Sequence, residues 1–99
     1  MGQMGLMGMT VPQKYGGAGV DRICYMIALE EISRYCGSTA INVEAHNSLG
    51  IGHIYEKGSE NQRKKYLPKL CSGEELAAWS LSESNAGSDA SAPQTTAVL

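Results

Sequence analysis

The 99-residue sequence contains no apolar run approaching the ~20 residues needed to cross a bilayer, so no membrane span is expected. It is also short of charge: 18% of its residues are charged, eight basic against ten acidic, for a net charge of −2. That balance provides no long-range attraction to nucleic acid or to an anionic membrane surface. The one basic cluster, Arg63, Lys64 and Lys65, fits a solvated helix face. Cysteine is scarce and odd in number. Cys24, Cys36 and Cys71 contain no Cys-x-x-Cys pair, which argues against a disulfide framework or a zinc site and leaves reduced thiols, as in the cytoplasm or a mitochondrial matrix. The first nine residues hold four methionines and three glycines, but no basic stretch and no continuous apolar core, so no secretory leader is expected there. At 42% hydrophobic residues, the chain has enough apolar side chain to pack a core.

What is present reads first as helix. Residues 1–10 look like the end of a short helix, with Met4, Leu6, Met7 and Met9 supplying adaptable apolar contacts. Val11-Pro12 forces extended backbone. The glycine-rich loop from Tyr15 to Gly19 follows no strand, as a phosphate-binding glycine motif requires. Asp21 is a good N-cap for a helix running to Tyr35, with Ile23, Met26, Ile27, Leu29 and Ile32 at helical spacing, and Gly37 ends it. A second helix is expected from Ser38 or Thr39 to Lys57, with Gly58 as its C′ residue and Ile41, Ala45, Leu49 and Ile54 on or near one stripe. Ser59 with Gln62 forms a capping-box pattern that opens a polar third helix, expected to stop before Pro68.

After Ser72-Gly73 the pattern changes. Residues 76–82 alternate as a strand does, with Trp79 and Leu81 on one face. A polar loop follows from Ser84 to Pro93, and residues 95–99 read as a second strand in which the chain ends. A strand left with its edge unpaired suggests a piece of a larger protein.

Few residues suggest chemistry on their own. His46 and His53 lie two helical turns apart, over ~10 Å by helix rise, with no third ligand at metal spacing, so packing or exposure is the simpler expectation. Glu30 and Glu31 are adjacent on a helix, point ~100° apart and cannot share a substrate. The stretch from Glu83 to Asp89 differs in kind. It offers successive backbone N–H groups at small residues, a glycine, and the hydroxyls of Ser82, Ser84 and Ser88. Such a run can hold a phosphate or a flavin carbonyl, and it can equally be a turn between two strands.

The run Trp79-Ser80-Leu81-Ser82-Glu83-Ser84-Asn85-Ala86-Gly87-Ser88-Asp89-Ala90 resembles the signature of the acyl-CoA dehydrogenase family. Upstream, Val11-Pro12 with Tyr15-Gly16-Gly17, the Glu30-Glu31 helix, Asn47-Ser48-Leu49-Gly50 and Lys65-Tyr66-Leu67-Pro68 resemble that family in its order and spacing. The texture is similar to short-chain and branched-chain members. The resemblance implies an α+β piece that is mostly α-helical: residues 1–74 as part of the helical N-terminal domain, and residues 75–99 as the first strands of the middle β-domain. It implies FAD as cofactor, an acyl-CoA thioester as substrate, α,β-dehydrogenation as the reaction, an electron-transfer flavoprotein as partner and a homotetrameric parent.

By position, Trp79, Leu81 and Ser82 would border the flavin, with Ser82 offering hydroxyl and amide donors to its pyrimidine end. Gly87 and Ser88 would meet the flavin pyrophosphate and the nearby acyl-CoA, while Ala45 and Leu49 would line the acyl-tail pocket. Two departures matter. Ser84 stands where the family usually has proline, and the family's catalytic glutamate belongs to a C-terminal bundle that this chain does not contain. No residue here is therefore assigned as the base, and the piece is expected to be inactive alone. An acyl-CoA oxidase or flavin monooxygenase of the same fold, or a cofactor-free helical interaction module, are the rival readings.

Overall fold

Two side-chain caps set the helical frame. In the computed structural model, which describes residues 1–98, the Asp21 carboxylate accepts from the Cys24 N–H at 2.8 Å and opens helix α1, Arg22–Tyr35. Ser59 opens α4, Glu60–Ser72, with both halves of the capping box formed: Ser59 N–H donates to the Gln62 side chain at 2.7 Å, and Gln62 N–H donates back to the Ser59 hydroxyl at 3.3 Å.

Between them the expected single helix is divided. Helix α2, Gly37–Ala45, runs into a π-helical turn, His46–Ile51, and continues as α3, Gly52–Lys57. Gly58 ends α3, but in extended rather than left-handed backbone (φ −69°, ψ 153°), because Ser59 must at once take the extended geometry of an N-cap.

The π turn also changes which face points inward. The expected stripe of Ile41, Ala45 and Leu49 is not the buried one: Ile41 is 65% exposed and Leu49 42%. Ala40, Val43, His46, Asn47, Gly50 and Ile51 are buried instead. Adjacent helical residues diverge by ~100°, so His46 and Asn47 serve different neighbours. Asn47 accepts from the Met9 N–H at 2.9 Å and donates to the Leu6 carbonyl at 2.8 Å and the Val43 carbonyl at 2.9 Å. It thereby pins the N-terminal segment to the helix. That segment contains a short 3-10 turn at Gly2–Met4 and buries Met7 and Met9, while Met1 and Met4 remain outside. It folds back through bonds from Ala18, Gly19 and Val20 N–H to the carbonyls of Gly8, Val11 and Met9.

Helix α4 does not stop at Pro68. It passes through that residue to Ser72, losing one backbone donor. Buried Leu67, Leu70 and Cys71 on one face hold the helix to the core formed with Val11, Tyr15 and Ile51, against which Ile54, Tyr55 and Ala77 pack. Tyr15 donates its hydroxyl to Glu60 at 2.6 Å, joining the N-terminal segment to the first turn of α4. Gly73, with φ 76° and ψ 13°, supplies the left-handed cap that ends α4.

The strands expected at 76–82 and 95–99 do not form among the described residues, and Leu99 lies outside them. A strand needs a ladder partner for its N–H and C=O groups. Among the described residues the only bridge is the local pair Glu83–Ala86 within a tight turn. The observed fold is thus a helical assembly followed by an extended tail. Along α1, only Leu29 is buried, while Ile23, Met26 and Ile27 are 54–72% exposed. No helix among the described residues is long and apolar enough to cross a membrane.

Replacing Asn47 by leucine would leave the Met9 N–H and the Leu6 carbonyl unpaired in a buried place. A loss of about 2–3 kcal/mol in urea unfolding is expected; a change below ~0.5 kcal/mol would show that Asn47 is not the tie it is taken to be.

Candidate functional site

The residues singled out from the sequence fall on two structures, the π turn and the tail after α4. His46 joins them. Its Nδ1 accepts from the Ala77 N–H at 3.1 Å, so Nε2 carries the proton and donates to the Leu70 carbonyl at 3.0 Å. One buried imidazole therefore binds the C-terminal end of α4 and the start of the tail together. The tail crosses the π turn at Gly50, where any β-carbon would collide with the Ala77 methyl, so glycine is needed for this close approach. Two residues further on, the Trp79 ring meets the His53 ring edge to face, with centroids 4.0 Å apart and planes at 81°.

These contacts leave an open groove of about 500 Å³ between the π turn, α4 and the tail, with Leu49, His53, Tyr66 and Trp79 among its walls. It brings together Leu49, expected at the acyl tail, and Trp79, expected at the flavin. Ala45 is half-buried and does not line this groove; neither do Leu81, Ser82, Gly87 and Ser88, which lie exposed further along the tail.

The tail then closes into a loop. Glu83 N–H donates to the Ala86 carbonyl at 2.9 Å and Ala86 N–H to the Glu83 carbonyl at 3.1 Å, with Ser84 and Asn85 at the tip and Ala86 buried inside. The backbone at Ser84 has negative φ, so the hydroxyl residue occupies the turn without the pre-set angle of a proline. The Glu83 carboxylate reaches across the loop to accept from the N–H groups of Gln94, at 2.8 Å, and Thr95, at 3.1 Å. Bonds from Thr95 and then Gln94 hold its carboxyl below the usual carboxylate range. Asp89 is likewise engaged by its own loop, accepting from the Ser91 hydroxyl at 2.6 Å and the Ser91 N–H at 3.1 Å, which lowers its carboxyl too. Both carboxylates thus satisfy the loop itself. Among the described residues, the backbone N–H groups of Ser82, Gly87 and Ser88 have no protein acceptor, and around Gly87 there is open space. Exposed amide and hydroxyl donors beside internally satisfied carboxylates suit a ligand that presents carbonyl or phosphate oxygens.

Residues 1–74 match the acyl-CoA dehydrogenase N-terminal domain. The chain belongs to the acyl-CoA dehydrogenase family. It is 50% identical over 99 residues to the short-chain specific acyl-CoA dehydrogenase of Clostridium acetobutylicum, all of this chain against 26% of that protein's length. Among solved structures it resembles an acyl-CoA dehydrogenase complexed with FAD from Bacillus anthracis (TM-score 0.85, 44% identity), covering 93% of this chain and 16% of that one. It also resembles a chain from a structure described as the electron transferring flavoprotein of Acidaminococcus fermentans (TM-score 0.91, 44% identity), covering all of this chain and 26% of that one. The chain therefore spans about a quarter of the length of the curated relatives it matches.

His46 and His53 are the members of this arrangement that sequence reasoning treated as incidental. Their seven-residue spacing put them on one side of a helix, and the tail that meets them comes from distant sequence.

Because the folded-state pKa of Glu83 is depressed, its bonds to Gln94 and Thr95 contribute above the ordinary carboxylate pKa and are lost as pH falls through the lowered one. Amide hydrogen exchange at Gln94 and Thr95 is expected to lose its protection over that acidic window, and Glu83→Gln to remove the pH dependence. Protection that persists unchanged in acid would contradict the assignment.

Proposed function

We propose that this chain forms one wall of the flavin and acyl-CoA site of an FAD-dependent acyl-CoA dehydrogenase, as part of a longer protein. The observation that carries the reading is the set of free donors at Ser82, Gly87 and Ser88, on a loop whose carboxylates Glu83 and Asp89 are satisfied internally. FAD, when bound, supplies the acceptor for the electrons removed in α,β-dehydrogenation of an acyl-CoA thioester.

The chain's own residues bind and orient. Ser82 offers its hydroxyl and N–H to the pyrimidine edge of the flavin, where fixed donors favour the charge that develops on reduction. Trp79 and Leu81, 41% and 42% exposed, border the ring. Gly87 lets the backbone come close to a pyrophosphate, and Ser88 adds a donor shared with the acyl-CoA. Ala45 and Leu49 face the acyl tail. No residue here is assigned as the base that takes the α proton. That group, together with the strands that pair with residues 75–99, belongs to the rest of the protein, and residues 1–74 form part of its helical N-terminal domain. The exposed apolar side chains Ile23, Met26, Ile27 and Ile41 suit burial against those missing parts. Electron transfer to an electron-transfer flavoprotein, a homotetrameric parent, and a cytoplasmic or mitochondrial-matrix location complete the proposal.

The 99-residue chain alone is expected neither to retain FAD through gel filtration nor to reduce a dye with acyl-CoA. In the longer protein, Ser82→Ala is expected to weaken FAD retention about tenfold. Stoichiometric FAD and turnover from the short chain alone, or unaltered FAD retention in the Ser82 variant, would contradict the reading.

A further inference from the structure

The proposed site leaves His53 without a role, although it touches both walls. Its Nδ1 lies 2.6 Å from the Leu49 carbonyl, and since a carbonyl only accepts, Nδ1 carries a proton and the ring plane is set by the π turn. The same ring meets Trp79 at 4.0 Å and 81°. Trp79 has little else to fix it. It is 41% exposed and its segment lacks a strand partner, the nearest backbone anchor being the Ala77 N–H on His46. Leu49 and Trp79 line one groove, and His53 stands between them in it.

We propose that His53 is a positioning residue, which holds the Trp79 ring at the flavin wall and ties its orientation to the π turn that carries Leu49. This rests on the reading of Trp79 as a flavin neighbour and Leu49 as an acyl-tail neighbour. The coupling runs from the Leu49 carbonyl to the imidazole and from the imidazole to the indole. An edge-to-face aromatic pair is strong enough to shift the population of a half-exposed ring by roughly threefold to tenfold. An acyl chain that moves the Leu49 turn is therefore felt at the flavin wall through one side chain.

Trp79 is the only tryptophan in the chain, so fluorescence anisotropy excited beyond the absorption of the five tyrosines, and the long-wavelength edge of the near-ultraviolet circular dichroism, report on this ring alone. In the 99-residue chain, His53→Ala is expected to lower both signals, with far-ultraviolet dichroism unchanged because His53 is exposed. His53→Phe keeps the ring contact but loses the bond to Leu49, and is expected to restore part of the signal. His53→Asn keeps only a donor for Leu49 and is expected not to. Unchanged Trp79 signals in the alanine variant, or restoration by asparagine equal to that by phenylalanine, would overturn the pairing.

In the FAD-loaded longer protein, His53→Ala is expected to shift the visible flavin band and lower kcat several-fold, with a smaller change in KM and rescue by phenylalanine. A KM change alone would overturn the positioning role. A flavin band that ignores Trp79→Ala would instead sink the placement of Trp79 at the flavin, and the flavin half of this proposal with it, while the fluorescence results judge the pairing separately.

Discussion

Everything in this structure that faces the proposed ligands depends on two buried polar side chains in one π-helical turn. His46 and Asn47 are 3% and 4% exposed, in places where an apolar pair would be the usual choice. Burying them is tolerable only because they are paired, and among the described residues no buried side-chain nitrogen or oxygen lacks a partner. Asn47 takes the N-terminal segment at Leu6 and Met9; His46 takes the end of α4 at Leu70 and the tail at Ala77. Removing either would leave unpaired groups on another segment, so the turn works as a junction. π-turns often mark functional sites, and here the function follows from geometry: the junction decides where the tail leaves the helices.

The tail is held at intervals. His46 fixes Ala77, Gly50 lets it lie against the turn, His53 meets Trp79, and Glu83 closes the loop by binding Gln94 and Thr95. Between these anchors, Ser82, Gly87 and Ser88 stay exposed with free donors. A loop whose carboxylates are engaged by its own N–H and hydroxyl groups leaves its remaining amides free for a carbonyl or phosphate oxygen instead of for Glu83 or Asp89.

How much of this the sequence announced depends on the range of the interactions. The starts of α1 and α4 were legible because Asp21 and the Ser59–Gln62 box act within three residues of themselves. The inward face of the second helix was misread because hydrophobicity favoured Ile41 and Leu49, while burial is decided by partners at Leu6, Met9, Leu70 and Ala77. Pro68 reads as a stop in the sequence, yet tertiary burial of Leu67, Leu70 and Cys71 outweighs the lost hydrogen bond. The alternation of residues 76–82 is real, but an alternating pattern becomes a strand only beside another strand, and none is present among the described residues. The family signature from Trp79 to Ala90 was visible as a motif. That Trp79 leans on His53 was not, since the two lie on separate elements.

The central claim is that a single imidazole, with Nδ1 unprotonated toward Ala77 and Nε2–H toward Leu70, places the tail that is proposed to face the flavin. Nitrogen-15 NMR of His46 tests it most directly, because the two ring nitrogens have distinct shifts in each tautomer. The account predicts a protonated Nε2, and an unprotonated Nδ1 that shows a through-hydrogen-bond coupling to the Ala77 amide. A His46 protonated at Nδ1, or one with no coupling to Ala77, would contradict it.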